Sequence, residues 1–126
     1  MTDETRFKPA PGKTIAEVLE WRARHEGGND AYVFVAGGDE QSRVTYHDLD
    51  SRARIIAAAL AERELFGECA LLAYPSGIDF LSAFYGCLYA GVAATPVGLP
   101  AGLRGHRRPA YEFPARNLIV GHQFPL

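Results

Sequence analysis

The stretch YPSGIDFLSAFYGCLYAGVAATPV, residues 74–97, decides the fold, because no charged side chain occurs from Phe80 to its end. Its PSG turn interrupts an apolar segment, and Ser76 stands three residues before Asp79 as a helix N-cap pair. Gly91 stands where a helix would end, since glycine readily adopts the left-handed conformation there. The pattern therefore predicts a helix over about 77–90.

Apolar segments flank this predicted helix on both sides, ECALLAY (68–74) before it and VAATPV (92–97) after it. Short apolar runs of this kind are typical of strands that are buried on both faces of a parallel sheet. Two parallel strands joined by a helix form a crossover, which is right-handed in nearly all proteins. The sequence therefore predicts an α/β fold with a strand-helix-strand parallel crossover.

A membrane span is the main alternative for the uncharged run. About fourteen helical residues reach roughly 21 Å, whereas the hydrocarbon core is ~30 Å thick. Extending the helix through Val97 would force Gly91, Thr95 and Pro96 into the span. A buried crossover helix is the favoured interpretation, and association with a membrane through 78–97 remains an alternative.

The predicted helix carries small and bulky residues at helical spacing. Close packing against a sheet or another helix explains the small ones better than membrane dimerisation does; they are Ser82, Ala83, Gly86, Cys87 and Ala90. The bulky residues Phe80, Phe84 and Tyr85 fit either a core or an acyl pocket, and a core is the favoured interpretation.

The first half of the chain predicts two helices around a hairpin. Residues 1–13 read as a flexible lead-in, and Thr14 with Glu17 forms a capping box for a helix that the Gly27-Gly28 pair stops. AYVFVA (31–36) and SRVTY (42–46) resemble hairpin strands joined by GGDEQ, with an open register. Thr45 and Asp48 then cap a second helix. Its apolar face repeats at helical spacing through Leu49, Ala53, Ile56, Ala57 and Leu60.

Composition limits the partners and the compartment. The net charge of −2 provides no overall field that would attract nucleic acid or anionic lipid. The two cysteines, Cys69 and Cys87, lie in apolar surroundings, and reduced buried thiols are favoured over a bridge. The first thirteen residues lack the apolar core of an export signal, so the cytoplasm is the expected location.

The residues alone name no reaction and no site. Ser76 precedes a predicted helix, but the surrounding PSGID lacks the G-x-S-x-G frame of a nucleophile and the G-x-x-x-x-G-K-[ST] frame of a phosphate loop. The four histidines lack the spacing of paired metal ligands; they are His25, His47, His106 and His122. The basic patch GLRGHRRP (102–109) could hold phosphate or nucleic acid, although a solvated loop is favoured. We therefore predict no catalytic, cofactor-binding or metal-binding residue in this chain.

Two segments together resemble the first core motifs of the adenylate-forming, or AMP-binding, ligases. VTYHDLD (44–50) resembles the family's Thr-Tyr-x-Glu-Leu motif, with Asp48 in place of the glutamate, and LYAGVAATPV (88–97) resembles Leu-x-Ala-Gly-x-x-x-x-Pro. ARIIAAALAE (53–62) and the turn and helix in 71–91 look closest to the fatty-acyl-AMP ligase and long-chain acyl-CoA synthetase branch. The likeness covers about Thr14 to Pro100.

The resemblance implies a role for the family rather than for this chain alone. Family members use ATP and magnesium to convert a fatty acid into an acyl-adenylate with release of pyrophosphate, and then transfer the acyl group to coenzyme A or to a carrier protein. They do so with a phosphate loop and a catalytic lysine, and neither motif is present here: the only lysines, Lys8 and Lys13, precede the first helix. By the same resemblance, Tyr46 and Asp48 begin a helix, while Gly91 and Pro96 shape the end of a crossover. We expect no cofactor to be bound by this chain itself.

The sequence thus predicts a partial N-terminal subdomain of the ligase fold over 14–100, followed by a divergent basic tail over 101–126 that looks truncated. In that tail, Leu118-Ile119-Val120 is strand-like. The main hypothesis is a fragment of a fatty-acid-activating ligase that is inactive alone. The alternative is a small interaction module that binds a carrier protein, or the remainder of a ligase, through an open sheet edge. Exposed apolar surface also predicts marginal stability or self-association.

Overall fold

The helices and strands follow the predicted order in the computed structural model, which describes residues 11–97 and 117–120. The N-terminal half contains α1 (Ile15–His25), β1 (Asp30–Ala36), β2 (Asp39–Thr45) and α2 (Tyr46–Glu62). The second half contains β3 (Cys69–Ala73), α3 (Ile78–Ala90), β4 (Ala93–Pro96) and β5 (Asn117–Val120).

The strand-helix-strand unit that the uncharged run predicted is present. β3 pairs in parallel with β4, from Cys69 opposite Ala93 to Leu72 opposite Pro96, and α3 connects the two strands. β5 pairs in parallel with the other side of β3, so the order in this sheet is β4-β3-β5. The strand-like Leu118-Ile119-Val120 segment therefore belongs to the same sheet as the crossover.

Two of the three predicted helix caps are confirmed. The Thr14 hydroxyl accepts a hydrogen bond from the Glu17 amide at 3.1 Å, and the Thr45 hydroxyl accepts one from the Asp48 amide at 3.2 Å. The Ser76 cap is wrong: Gly77 is the N-cap of α3, without a side-chain capping bond. Because α3 begins one residue later than the Ser76 interpretation requires, that hydroxyl stands outside the cap position.

The hairpin is confirmed, but its turn is shorter than predicted. Only Gly37 and Gly38 connect the strands, and both have positive φ, as tight two-residue hairpin turns require. Asp39, Glu40 and Gln41 were predicted in the turn, and they belong to β2 instead. The register shifts at two places in β1, between Asp30 and Tyr32 and between Phe34 and Val35.

The core consists of two clusters that share α2 and α3. One cluster joins these helices to the parallel sheet, and its centre includes Ile56, Leu60, Leu72 and Cys87. The other joins the same helices to α1 and the hairpin, and it contains Leu19, Val44, Leu49, Ala53 and Tyr85. Phe84 is partly buried against both clusters, so α3 connects the two halves of the core.

Gly86 of α3 packs closely against a neighbouring element, as predicted for the small residues, and that element is α2. A Cβ added at Gly86 would lie 2.6 Å from Ile56 Cγ2 and 3.2 Å from the Ala53 carbonyl oxygen. Only a residue without a side chain fits this contact. Cys87 is fully buried, as predicted, whereas Cys69 is exposed, because it begins β3 at the margin of the sheet.

The membrane alternative has no support in the described residues. Among residues 11–97 and 117–120, no helix combines the length and the apolar character that a membrane crossing needs. The uncharged run is divided between α3 and β4 at Gly91, which has φ of 70° and ends the helix.

We predict that Gly86→Ala lowers the free energy of unfolding by about 1–3 kcal/mol, the usual cost of overpacking a core. The higher helix propensity of alanine offsets up to about 1 kcal/mol of the steric cost. Chemical denaturation measures the difference. Gly28→Ala is the control, because its added Cβ meets no atom within 4 Å. Equal stability of the Gly86 variant and the wild type would contradict the contact.

Candidate functional site

A half-open cavity of about 180 Å³ lies between α1, the hairpin and α3. Its walls combine aliphatic side chains with phenol groups and a guanidinium. The aliphatic residues are Ile15, Val18, Leu19 and Ala31, and the polar ones are Arg22, Tyr32, Tyr46 and Tyr85. The volume is below the few hundred cubic ångströms of common small-molecule pockets, so the cavity suits a group of about side-chain size.

Two of the tyrosines that line this cavity are hydrogen-bonded to each other. The hydroxyl groups of Tyr32 and Tyr85 form a hydrogen bond of 3.0 Å, which ties β1 to α3. Burial raises the pKa of Tyr85, and the bond to Tyr32 raises it further, so the phenol is neutral at physiological pH. A neutral phenol donates or accepts a hydrogen bond but does not act as a base.

The guanidinium at the cavity already has protein partners. Arg22 pairs with Glu26 one turn further along α1, and its guanidinium carbon lies 5.7 Å from the centre of the Tyr46 ring. The positive charge is therefore compensated by a carboxylate and by an aromatic face. This compensation favours an uncharged occupant of the cavity.

A second polar group joins α2 to α3 on another side of α3. The Tyr89 hydroxyl donates to Asp50 Oδ1 at 2.7 Å, and Arg54 Nε donates to Asp50 Oδ2 at 2.9 Å. Every acceptor oxygen of the carboxylate thus has a donor, and Arg54 also lies over the Tyr89 ring. The arrangement is typical of a helix-helix connection rather than of a reactive centre, since no group is left to abstract or deliver a proton.

The ends of the parallel strands form the edge where α/β sheets usually bind ligands. After β3, Tyr74 is buried while Pro75 and Ser76 are exposed. Burial raises the pKa of Tyr74 to about 12, and the Asp79 carboxylate contributes to the rise. Within the described residues, no histidine or carboxylate side chain forms a hydrogen bond with Tyr74 or Ser76, so this edge supplies no activated nucleophile there.

The motif residues occupy the structural positions that the resemblance implied. Tyr46 is the first residue of α2, and the Asp48 amide makes its cap bond. Gly91 is the left-handed C-cap of α3, and Pro96 ends β4. These residues therefore shape the ends of α2, α3 and β4, and Tyr46 also lines the cavity.

The remaining candidates do not assemble into a metal or nucleophilic site in the described chain. No group of three histidine, cysteine, aspartate or glutamate side chains approaches metal-binding geometry there. His25 and His47 are exposed, whereas His106, His122 and the basic patch lie outside the described residues. Burial raises the pKa of Cys87 to about 11, so its thiol is protonated and unreactive at neutral pH.

Sequence reasoning missed the cavity itself. Tyr85 was interpreted as core, and it is buried, yet it also lines the cavity. Tyr32 and Tyr46 carried no signal of their own, because the three phenols meet only through the packing of β1, α2 and α3. Apolar periodicity predicts which face of a helix or strand is buried, but it does not predict where a gap remains between two packed elements.

Comparisons with known proteins agree on one family. A profile described as AMP-binding enzyme matches residues 19–118. The chain is 38% identical over 92 residues to the medium-chain-fatty-acid–[acyl-carrier-protein] ligase JamA of Moorena producens, covering 72% of this chain and 16% of that ligase. It is also 39% identical over 89 residues to Disco-interacting protein 2 homolog A of Homo sapiens, covering 68% of this chain and 6% of the human protein.

Solved structures give the same result at the level of the fold. The fatty acid AMP ligase from Legionella pneumophila superimposes with a TM-score of 0.63 at 33% identity, over 80% of this chain and 17% of that ligase. The predicted fold class, a partial N-terminal subdomain of the adenylate-forming ligases, is confirmed. The chain spans about a sixth of the length of these ligases. The predicted boundary at Pro100 stays a prediction.

We predict that Tyr85→Phe and Tyr32→Phe each lower the free energy of unfolding by about 1 kcal/mol, because each leaves the other hydroxyl without its partner. The double variant should lose less than the sum of the two single variants. Thermal or chemical denaturation of all four proteins gives the coupling free energy. Strict additivity would show that the two hydroxyl groups do not interact in solution.

We also predict that stability falls between about pH 10 and pH 12. Tyr74 holds its proton up to about pH 12 in the folded chain, whereas an unfolded tyrosine loses it near pH 10. When the pKa of a group is higher in the folded chain than in the unfolded chain, its full contribution to the stability of the folded chain is present at pH values below the unfolded pKa. That contribution is lost as the pH rises from the unfolded pKa to the folded pKa. The slope due to Tyr74 is at most about 1.4 kcal/mol per pH unit.

Denaturation at several pH values tests this dependence. Tyr74→Phe should show a shallower decline than the wild type, because one proton-linked group is removed. Residual dependence is expected in the variant, since burial also raises the pKa of Cys87. Identical slopes for the two proteins would exclude Tyr74 as a contributor.

Proposed function

We propose that this chain, which belongs to the AMP-binding enzyme family, serves as the N-terminal portion of a ligase that activates fatty acids with ATP. In the proposed reaction the fatty-acid carboxylate attacks the α-phosphorus of ATP, pyrophosphate leaves, and an acyl-adenylate forms. The acyl group then passes to a carrier protein or to coenzyme A. The observation that supports this role best is the match over 80% of the chain to the Legionella fatty acid AMP ligase.

We propose further that the chain does not catalyse this reaction alone. ATP chemistry needs donors for the phosphates, a metal site and a cation near the carboxylate. Within the described residues, the Thr14 and Thr45 hydroxyl groups cap helices, and the Tyr89-Asp50-Arg54 group and the Tyr32-Tyr85 bond connect elements of the fold. ATP and magnesium would accordingly be held by the larger part of the ligase, and we place that ligase in the cytoplasm.

What the chain would contribute is a rigid support. α2 and α3 are held together by their close packing at Gly86 and by the Tyr89-Asp50 hydrogen bond. α3 also packs against the parallel sheet. The strand ends of such a sheet position loops for a ligand. A carrier protein is the proposed acyl acceptor, in keeping with the Moorena relative, which is named as an [acyl-carrier-protein] ligase.

A second candidate function is a non-enzymatic interaction module. It is supported by the likeness to the human Disco-interacting protein 2 homolog A, which is named as an interacting protein. Within residues 11–97 and 117–120, β4 lies at one edge of its sheet and would offer backbone groups to an added strand. A carrier protein or the remainder of a ligase would be the partner.

We predict that the purified 126-residue chain releases no pyrophosphate from ATP and a fatty acid above background. A chimera in which this chain replaces the matching N-terminal portion of the Legionella ligase should release pyrophosphate in the same assay. The matched control is the chimera with Ile56→Asp, which places an unpaired charge in the core and should be inactive.

The outcomes separate the two candidate functions. Activity of the isolated chain would overturn its dependence on the larger part. A chimera that unfolds cooperatively but releases no pyrophosphate would contradict the ligase role. Retained binding of a carrier protein by the isolated chain, together with an inactive folded chimera, would favour the interaction module.

A further inference from the structure

The half-open cavity between α1, the hairpin and α3 is not used by the proposed ligase chemistry. Its volume is about 180 Å³. An apolar cavity of about 150 Å³ engineered into another protein takes up benzene, so a volume of this order holds one six-membered ring. The size of the cavity therefore limits a ligand to a single ring, or to an aliphatic group of similar bulk, with one small substituent.

The cavity wall combines aliphatic and aromatic surface. Ile15, Val18 and Leu19 of α1 supply aliphatic side chains. Tyr46 at the start of α2 and Tyr85 of α3 supply aromatic rings. Aromatic rings pair with one another in offset or edge-to-face arrangements, and this pairing stabilises beyond the effect of buried area alone. The wall therefore favours an aromatic ring over an aliphatic group of the same size.

The hydrogen bond between Tyr32 and Tyr85 leaves one hydroxyl proton without an acceptor. Each phenol has one O–H to donate, and the 3.0 Å bond between the two oxygens uses only one of these two protons. Within residues 11–97 and 117–120, neither hydroxyl group has a further hydrogen-bond partner. A ligand with an oxygen acceptor would therefore extend this pair into a chain of hydrogen bonds.

The charges around the cavity favour a neutral ligand. Arg22 already pairs with Glu26 and lies over the Tyr46 ring, so its positive charge is compensated. Burial and the bond to Tyr32 raise the pKa of Tyr85, and the Tyr46 phenol contributes to the rise, so the Tyr85 phenol stays neutral. The lining residues include no carboxylate that could pair with a cationic ligand. An ion that entered the cavity would therefore lose water without gaining a counter-charge.

We propose that this cavity is a binding site for a small uncharged phenol. The ring would pack against the aliphatic and tyrosine side chains, and its hydroxyl oxygen would accept the spare proton of the Tyr32-Tyr85 pair. The O–H of the ligand would donate to water at the opening. The proposal is independent of the ligase function.

Titration of the purified chain with phenol, followed by two-dimensional amide NMR, tests the proposal. We expect saturable shifts that are largest at the lining residues. The dissociation constant should be about 1 mM, because seven non-hydrogen atoms make few contacts. Benzene should bind about three- to tenfold more weakly, since it cannot accept the spare proton. Benzoate, which is charged at neutral pH, should bind more weakly than phenol for want of a counter-charge.

Variants of the wall test the location of the site. Val18→Phe would fill the cavity with a ring of the chain itself and should abolish saturable binding of phenol. Ala58→Phe is the matched control, because it adds the same ring at an exposed position of α2 outside the cavity, and it should bind phenol like the wild type. Circular dichroism verifies that each variant is folded.

The role of the hydroxyl pair is tested by the double variant Tyr32→Phe, Tyr85→Phe. It should lose most of the preference for phenol over benzene, since the spare proton is removed while the rings remain. Unsaturable shifts in the wild type, or equal binding of phenol by Val18→Phe and Ala58→Phe, would overturn the proposal. Benzene or benzoate binding as tightly as phenol to the wild type would overturn the assigned ligand class.

Discussion

The close contact between α2 and α3 at Gly86 is the constraint on which the rest of the structure depends. With no side chain at that position, the α3 backbone reaches Ile56 and the Ala53 carbonyl. This approach brings the other faces of α3 within reach of the parallel sheet and of the hairpin at the same time. Both core clusters therefore depend on one interhelical distance, and a longer side chain at residue 86 would move them apart.

The same contact explains why α3 is uncharged after Asp79. The helix meets α2 along its small residues, the sheet through Cys87 and Ala83, and the hairpin through Tyr85. When a helix contacts protein on most of its sides, a charged side chain on it would be buried away from water. The buried Ser82 hydroxyl of this helix donates to the Ile78 carbonyl of the preceding turn, so its hydrogen-bonding capacity is satisfied without a partner outside the helix. The uncharged run is thus a consequence of burial within a layered α/β unit.

Much of this architecture could be predicted from the sequence because it depends on local rules. Caps at Thr14 and Thr45, the left-handed Gly91 and the apolar period of α2 each involve residues within a few positions of one another. The predictions were wrong where the local sequence was compatible with two alternative structures. Ser76 is a good capping residue, but Gly77 occupies the cap; polar residues 39–41 resemble a turn, but a Gly-Gly pair closes the hairpin in two residues and extends β2. The cavity could not be predicted, because it depends on how far α1 stands from β1.

The position of that cavity follows from how the hairpin is attached. Tyr85 reaches from α3 to Tyr32, and Val44 of β2 is buried against α2 and α3, so the inner face of the hairpin is fixed. α1 is attached mainly through Leu19, its one buried residue, and leaves the first turn at Ile15 exposed. The inner face of β1 is therefore fixed to the core, while its outer face and the neighbouring start of α1 stay apolar and exposed. The hairpin is a layer of the fold that is covered on one face only. Because Tyr85 of α3 fixes the inner face of the hairpin, the outer face of β1 is the one that stays exposed. Contact with further protein would bury that exposed face.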